Sequence, residues 1–314
     1  MHYYRGYGLL FESQIELPEL APASPGPADI KIAINDRASA AFKELADPSR
    51  AEYRFARTSV GHVMNIPDHA VLLVSSNQDV VLSPSDGCDM DYVRLFIIGS
   101  VIGILFHLRG QLVLHGAAVL HDAGVSVFVG ESGAGKSTLA AHMCDRGFSI
   151  LSDDTLPITQ RNDGSFVAWP GSRVFKLWRD ALDALCRDVD GLREVQVDAD
   201  KFFTPNPAVA PDMPHQLIEV IVLSEGEDDA PPHLERLPNL RALQQINENA
   251  YRPQMVRLLG RETPHFEVTA ALAGAVRTYR LTRPWNLGRI GESVDTMLHH
   301  WNGATLDSLI ESKA

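Results

Sequence analysis

Gly130-Glu131-Ser132-Gly133-Ala134-Gly135-Lys136-Ser137-Thr138 matches the pattern Gly-x-x-x-x-Gly-Lys-Ser/Thr at every fixed position. The apolar run Val125 to Val129 predicts a strand before it, and residues 136–146 predict a helix after it. In such a unit the loop amides and the helix N-terminus form a site for phosphate groups. We therefore expect these nine residues to bind a nucleotide, with Lys136 at the β- and γ-phosphates and Ser137 on Mg²⁺. The alternative is a chance match in a glycine-rich turn, which the flanking strand and helix argue against.

The composition limits the classes of partner. The chain has 314 residues, 45% of them hydrophobic, and a formal net charge of −12. This acidic balance argues against a nucleic-acid partner and against binding to an anionic membrane. The three cysteines show no metal-ligand spacing and the N-terminus opens no signal peptide, so we expect a cytoplasmic protein. The apolar stretch Leu95 to Leu108 is too short to span a bilayer and predicts a buried helix. The composition is compatible with either a monomer or a homo-oligomer.

Periodicity divides the chain into two predicted domains. Residues 1–88 form a β-rich N-terminal domain that carries no catalytic constellation, and residues 89–314 form the nucleotide domain. The likeliest boundary is the turn-rich segment Ser83 to Gly87. The strands predicted in the first domain are 30–34, 52–57, 70–74 and 80–82.

Around the glycine-rich loop the prediction is a set of strands and hairpins. The strand at 111–120 forms a hairpin with the loop strand and places His115 beside the loop. A strand at 148–151 ends at Asp153-Asp154. Residues 188–215 are predicted to be irregular, and a loop of that length is often a lid or a binding segment. Further strands and helices are predicted at 155–169 (a hairpin), 174–178, 180–187, 217–223, 239–251, 266–276, 277–281 and 290–301.

Two adjacent carboxylates follow the loop at short range. Asp153 and Asp154 end a predicted strand, where one can hold Mg²⁺ and the other can accept a proton from an attacking hydroxyl. The alternative is a strand-end turn with two solvated acids. On an extended strand the two side chains point to opposite sides unless the chain has already turned.

Four further residues have weaker signals. His115 is either a site residue or a core histidine on its strand. Lys176 and Lys201 could each meet a phosphate or a substrate carboxylate, although lysines at such positions commonly do neither, and Arg252 is a weaker candidate.

The motifs together resemble the catalytic domain of the HPr serine kinase/phosphorylase family. The resemblance is carried by Leu114-His115-Gly116-Ala117-Ala118-Val119, the glycine-rich loop, Arg146-Gly147 and Asp153-Asp154, and is close from about 111 to 155. It implies an α/β fold with a P-loop nucleotide domain of the HPr kinase/phosphoenolpyruvate carboxykinase type, using ATP and Mg²⁺.

The resemblance also implies roles for individual residues. Asp153, His115 and Lys136 would be catalytic, with Asp153 as the base, and Ser137 and Asp154 would serve the metal. The family has an acidic residue in the segment that corresponds to Pro170–Lys176, whereas this chain has none there. That departure leaves a second metal and a phosphorylase back-reaction open.

The whole chain looks more like HPr-kinase-related proteins that include kinases of lasso-peptide precursors. Arg109-Gly110, the segment Pro170 to Trp178 and Lys201 carry this finer resemblance. It implies a serine kinase that acts on a peptide or small protein, with a ribosomal lasso-type precursor as the expected substrate. Two other functions are kept: a regulatory module that binds ATP without transfer, and a kinase for a small metabolite such as a free hydroxy amino acid.

Overall fold

The computed structural model describes residues 1–45, 55–195 and 199–311, with side chains described up to residue 303. This part of the chain is a mixed α/β fold with three β-sheets. It divides into two compact units. Unit 1 holds Met1–Gln111 with Arg252–His265, and unit 2 holds Leu112–Tyr251 with Phe266–Ala314.

Unit 1 is built on an eight-stranded sheet, counted over the described residues, with the order β3-β1-β2-β4-β8-β7-β6-β5. The strands predicted at 30–34, 70–74 and 80–82 are confirmed as β4, β7 and β8. Part of the strand predicted at 52–57 lies outside the described residues, and the remainder begins β5. The strands are β1 His2–Gly6, β2 Leu9–Ser13, β3 Ala21–Pro22, β4 Ile30–Ile34, β5 Phe55–Thr58, β6 Gly61–Ile66, β7 Ala70–Ser75 and β8 Val80–Pro84. The helices of this unit are α1 Arg37–Lys43, α2 Met90–Phe96, α3 Ile102–Leu108 and α7 Pro253–Leu258.

The apolar stretch that raised the membrane question is a helix of unit 1. α2 and α3 are joined by a π-helical turn, Ile97–Val101, and the Asp89 carboxylate caps the start by accepting from two backbone amides. Over the described residues this helix, Met90–Leu108, is the segment long and apolar enough to cross a bilayer, and 67% of its most apolar window is buried within the fold. The prediction of a buried helix is confirmed.

The division into two compact units differs from the predicted domain boundary in two ways. It falls after Gln111, so that the helix Met90–Leu108 groups with unit 1. In addition, Arg252–His265 returns to unit 1 late in the chain, which no local pattern announces. The boundary after residue 88, understood as a boundary between folding domains, stays a prediction.

Unit 2 carries the glycine-rich loop on its central sheet. Strands pair in the order β11-β9-β10-β17-β19-β18, and the first half of β9 pairs with β12, which continues through β13 to the start of β17. The strands are β9 Leu112–His121, β10 Gly124–Val129, β11 Ser149–Ser152, β12 Thr155–Gln160, β13 Phe166–Ala168, β17 His215–Gly226, β18 His233–Arg236 and β19 Arg277–Pro284. The helices are α4 Lys136–Asp145, α5 Arg179–Ala184, α6 Asn239–Glu248, α8 Glu262–Ala275 (from Phe266 onward) and α9 Ile290–Glu311, with a 3₁₀ turn at Leu287–Arg289.

The loop strand is apolar because both of its faces are buried. Along β10, Val125, Val127 and Val129 pack into one core cluster and Phe128 packs into the cluster on the opposite face. A strand that is buried on both faces has a mostly apolar sequence, whereas a strand buried on one face alternates apolar and polar residues. The predicted hairpin between β9 and β10 is confirmed, as is the one between β12 and β13.

The segment predicted to be irregular contributes two strands to a small third sheet. β14 (Val174–Trp178), β15 (Arg193–Glu194) and β16 (Lys201–Pro205) pair in the order β14-β16-β15. The prediction of an irregular 188–215 was therefore wrong for β15 and β16. The missed signal is the pair Phe202-Phe203, whose buried side chains hold β16 in place.

Candidate functional site

The glycine-rich loop (residues 130–135) has the backbone that its sequence requires. It leaves the end of β10 and enters α4 at Lys136. Gly130, Gly133 and Gly135 have φ angles of 147°, 86° and 81°, which L-residues with a Cβ rarely adopt. At Gly130 a Cβ would also lie 3.0 Å from the carbonyl oxygen of Leu223. The strand, turn and helix predicted around the motif are all present.

The Lys136 side chain folds back over the loop. Its ammonium donates hydrogen bonds of 2.8 Å to Gly130 O and 2.9 Å to Glu131 O. The residue is buried, and burial lowers the pKa of its amine, although Asp153 and Asp154 act in the opposite direction. A cation held by two neutral carbonyls can exchange them for a stronger acceptor such as a phosphate oxygen.

The carboxylate pair lies in a bulge between two strands that both pair with β9. β11 and β12 pair with β9 in the same antiparallel sense, with Ser152 opposite Ala118 and Thr155 opposite His115. Asp153 and Asp154 form the interruption between them, and Asp154 has a φ of 80°. Because the chain turns here, both carboxylates face the same cleft, which they line together with Lys136 and Ser137.

Asp153 is the buried member of the pair. Its Oδ1 accepts a 2.8 Å hydrogen bond from the Ser137 hydroxyl, and its Oδ2 accepts a 3.1 Å bond from the backbone N–H of Lys176. Burial raises the pKa of this carboxyl, and the charge of Asp154 adds to the effect. Its partners in the described part of the chain are neutral donors, so no cation there is hydrogen-bonded to the carboxylate.

Asp154 is held by two basic groups. Its Oδ2 lies 2.6 Å from Lys176 Nζ, and its Oδ1 lies 3.1 Å from His115 Nδ1. Burial would raise the pKa of this carboxyl, but the charge of Lys176 and the interactions with His115 outweigh burial and hold the pKa well below its usual range. Asp154 is therefore fixed as a carboxylate, and its charge raises the pKa of Lys176 against the effect of burial.

The cleft brings together most of the residues predicted from sequence. His115, Ser132, Gly133, Gly135, Lys136, Ser137, Thr138, Asp153, Asp154, Lys176 and Lys201 line it. Gly130, Glu131 and Ala134 belong to the loop but do not border the cleft; their carbonyls accept side-chain hydrogen bonds instead. The metal pair predicted from the resemblance, Ser137 and Asp154, is not joined by a contact, because the Ser137 hydroxyl is bonded to Asp153. Arg252 is part of unit 1, where it precedes α7.

Lys201 extends the basic side of the cleft. It lies opposite Trp178 in the β14–β16 pairing, and its Nζ is 5.2 Å from the centre of the indole ring. Burial lowers the pKa of its amine, with Asp153 and Asp154 acting in the opposite direction. An amine over an aromatic face has lost part of its hydration and gains from a bound anion.

Sequence reasoning missed two residues at the end of β19, namely Arg283 in the strand and Trp285 just after it. Arg283 Nη2 donates a 2.8 Å hydrogen bond to Ala134 O, and Trp285 Nε1 donates a 3.2 Å bond to Gly133 O. The cause is the strand order, which no local sequence pattern indicates: β10, β17 and β19 are parallel neighbours, and the carboxyl ends of parallel strands meet at one edge of a sheet. Residues at the end of β19 and just after it are thereby placed beside the loop that follows β10.

The donor set fits Mg²⁺ bound together with a polyphosphate. Within the described residues, no group of three or more His, Cys, Asp or Glu side chains is arranged to hold a metal ion. Mg²⁺ takes oxygen ligands and is commonly held by one or two carboxylates, substrate phosphates and waters. The Ser137 hydroxyl and the adjoining carboxylates supply such oxygens, and Asp180 is the third acid at the cleft beside the basic Lys136, Lys176, Lys201 and Arg283.

The comparisons with known proteins give a distant structural likeness. No family model and no curated protein matches the chain. Among solved structures, the chain is similar to the Hpr(Ser) kinase/phosphatase from Coxiella burnetii, with 15% sequence identity and a TM-score of 0.32 over 61% of this chain and 98% of that chain. A likeness at this level assigns neither a family nor an activity, so the functional argument depends on the cleft.

Proposed function

We propose that the chain is an ATP- and Mg²⁺-dependent kinase that transfers the γ-phosphate to a serine hydroxyl of a peptide or small protein. One observation carries the proposal: the glycine-rich loop and the Asp153-Asp154 bulge share one cleft and are joined by the Ser137–Asp153 hydrogen bond. Phosphoryl transfer depends mainly on positioning and on stabilising charge, and this cleft supplies both kinds of group.

The basic side of the cleft supports binding of the triphosphate. Within the described residues, no carboxylate pairs with Lys136 or Lys201; Lys136 donates to backbone carbonyls and Lys201 lies over an indole. Partly buried cations without an acidic partner favour an anionic ligand. Lys136 and the loop amides would hold the β- and γ-phosphates, and Mg²⁺ would neutralise the charge that develops on them.

For the two carboxylates, we propose the reverse of the roles expected from the resemblance. Asp153 accepts from Ser137, so a metal ligated by the lone pairs of that hydroxyl is supported by Asp153. Asp154 is the more exposed of the two, is charged, and is oriented by Lys176 and His115. It therefore suits the task of accepting a hydrogen bond from the attacking hydroxyl and orienting it, with His115 beside it.

The finer assignments rest on the resemblance and on composition. A lasso-type precursor peptide as the substrate is supported by Lys201 and by the segment Pro170 to Trp178. Cytoplasmic location is supported by the free thiols of Cys88, Cys144 and Cys186. The absence of a nucleic-acid or membrane partner is supported by the net charge of −12.

The test is transfer of label from γ-labelled ATP in the presence of Mg²⁺. Serine-containing peptides, free serine and a reaction without acceptor are compared, with Lys136→Ala as the matched inactive protein. The proposal expects label on a peptide serine with wild-type protein and none with the variant. Label on free serine would favour the metabolite kinase, and ATP bound without transfer to any acceptor would favour the regulatory module.

A further inference from the structure

Four backbone carbonyls of the glycine-rich loop are held by side chains. Lys136 donates to those of Gly130 and Glu131, while donors at the end of β19 and just after it bind the other two. Trp285 Nε1 binds Gly133 O and Arg283 Nη2 binds Ala134 O. These side-chain hydrogen bonds to its carbonyls give the short loop a defined backbone conformation.

Fixing a carbonyl also fixes the next amide. The peptide unit is planar and trans, so the C=O of Ala134 and the N–H of Gly135 point in opposite directions. With Ala134 O turned towards Arg283, the N–H of Gly135 faces away from Arg283. Gly135 borders the cleft, and its N–H is one of the groups expected to bind phosphate. The Arg283 contact therefore sets the direction of a ligand-binding donor.

Arg283 is built tightly into this position. It is 3% exposed, and its second hydrogen bond goes to Pro284 O at 3.2 Å. A Cβ added to Gly135 would lie 2.3 Å from Arg283 Nη2, so the guanidinium fills the space directly behind the loop. The Arg283 side chain therefore leaves no room for the backbone at Gly135 to shift towards it.

The two sets of contacts differ in what happens when a nucleotide arrives. Lys136 must release Gly130 O and Glu131 O in order to reach a phosphate, whereas Arg283 and Trp285 can keep their carbonyls. The hydrogen bonds that remain are those donated by Arg283 and Trp285.

We propose that Arg283 and Trp285 are positioning residues that hold the glycine-rich loop in its nucleotide-binding shape before the nucleotide binds. The proposal rests on the proposed function, because it concerns the same site. The apparent dissociation constant equals the intrinsic one divided by the fraction of protein in the competent shape. Loss of either contact lowers that fraction, and saturating ligand restores the shape.

The experiment uses the full chain and the β,γ-imido analogue of ATP with Mg²⁺. Arg283→Met keeps an unbranched stem and removes the donors, and Trp285→Phe keeps an aromatic ring and removes one donor from a partly exposed side chain. The control is Arg280→Met on the same strand, whose partner is the exposed Glu235 at 3.2 Å. Calorimetry measures the dissociation constant of the analogue. Hydrogen exchange of the loop amides, with and without the analogue, measures how well the loop is ordered.

We expect both test variants to raise the dissociation constant by about tenfold or more. Their loop amides should exchange faster than in wild type without the analogue and return to the wild-type rate at saturation. The control should match wild type in both measurements. If Arg283→Met does not fold, Trp285→Phe alone decides. Unchanged affinity and unchanged exchange in a folded test variant would overturn the proposal, whereas a wild-type protein that does not bind the analogue would instead overturn the proposed function.

Discussion

The Ser137 hydroxyl donates a 2.8 Å hydrogen bond to Asp153, although Asp154 is the neighbour expected to serve the metal with it. This contact ties the first turn of α4 to the bulge between β11 and β12. It places the oxygen predicted to bind Mg²⁺ next to a buried carboxylate, while Asp154 is engaged by Lys176 and His115. The two carboxylates thus have different surroundings, and substitutions at the two positions should affect the reaction in different ways.

Neutralising each acid should separate metal support from acceptor chemistry. Asp153→Asn should raise the Mg²⁺ concentration needed for half-maximal transfer, because it removes charge next to Ser137. Asp154→Asn should lower kcat by ~10²-fold at saturating Mg²⁺, because the attacking hydroxyl loses the charged acceptor that orients it. The measurement is kcat as a function of Mg²⁺ for both variants on the acceptor found in the labelling assay. Rescue of Asp154→Asn by high Mg²⁺, with no rescue of Asp153→Asn, would restore the roles expected from the resemblance.

Alanine at the two cleft glycines should have unequal effects. Both have positive φ, and an alanine there costs about 1–2 kcal/mol of backbone strain. Gly133 has open space around a new Cβ, whereas at Gly135 the Cβ would meet the Arg283 guanidinium. Gly135→Ala should therefore weaken binding of the ATP analogue more than Gly133→Ala. Equal losses in calorimetry would contradict the tight packing of Arg283 against the loop.

A buried carboxylate away from the cleft should make stability depend on pH. Glu219 accepts from Ser126 at 2.5 Å, His300 at 2.8 Å and Trp301 at 2.7 Å. Burial raises the pKa of Glu219, but these hydrogen bonds outweigh burial and lower it below the usual value. Its contribution to stability is thus present above the unfolded-state pKa of about 4.3 and is lost as the pH falls through the lower folded-state pKa.

Glu219→Gln should lower the free energy of unfolding by about 1.5–3 kcal/mol at pH 7, because an amide cannot accept from all three donors. Urea unfolding at pH 7 and at pH 3 measures the effect, and the difference from wild type should shrink at pH 3. Glu235→Gln removes an exposed ion pair with Arg280 and serves as the control, with a cost of at most ~1 kcal/mol. A gap that stays constant with pH would argue against this account of Glu219.

The local parts of the site could be predicted from sequence and the long-range parts could not. The loop, the strand before it and the helix after it follow from glycine spacing and apolar runs, and the hairpin to β9 explains why His115 lies nearby. The direction of the two aspartates could not be predicted, since it depends on the positive φ of Asp154 in a bulge.

Arg283 and Trp285 were missed for a different reason. Their positions depend on β19 lying parallel to β17, which in turn lies parallel to β10, and that strand order is a tertiary fact. The strand that contains Phe202 and Phe203 was missed for a similar reason. It is stabilised by pairing with β14, which local sequence does not indicate.

The central claim is that Mg²⁺ and ATP bind in this cleft through Lys136. The most direct measurement is a calorimetric titration of wild type, Lys136→Ala and the exposed control Lys31→Ala with the β,γ-imido analogue and Mg²⁺. Removing a charged donor to phosphate costs about 1.5–3 kcal/mol, or roughly 10–150-fold in the dissociation constant. The account predicts binding by wild type and Lys31→Ala and a loss of that size in Lys136→Ala; equal binding by all three proteins, or none by wild type, would contradict it.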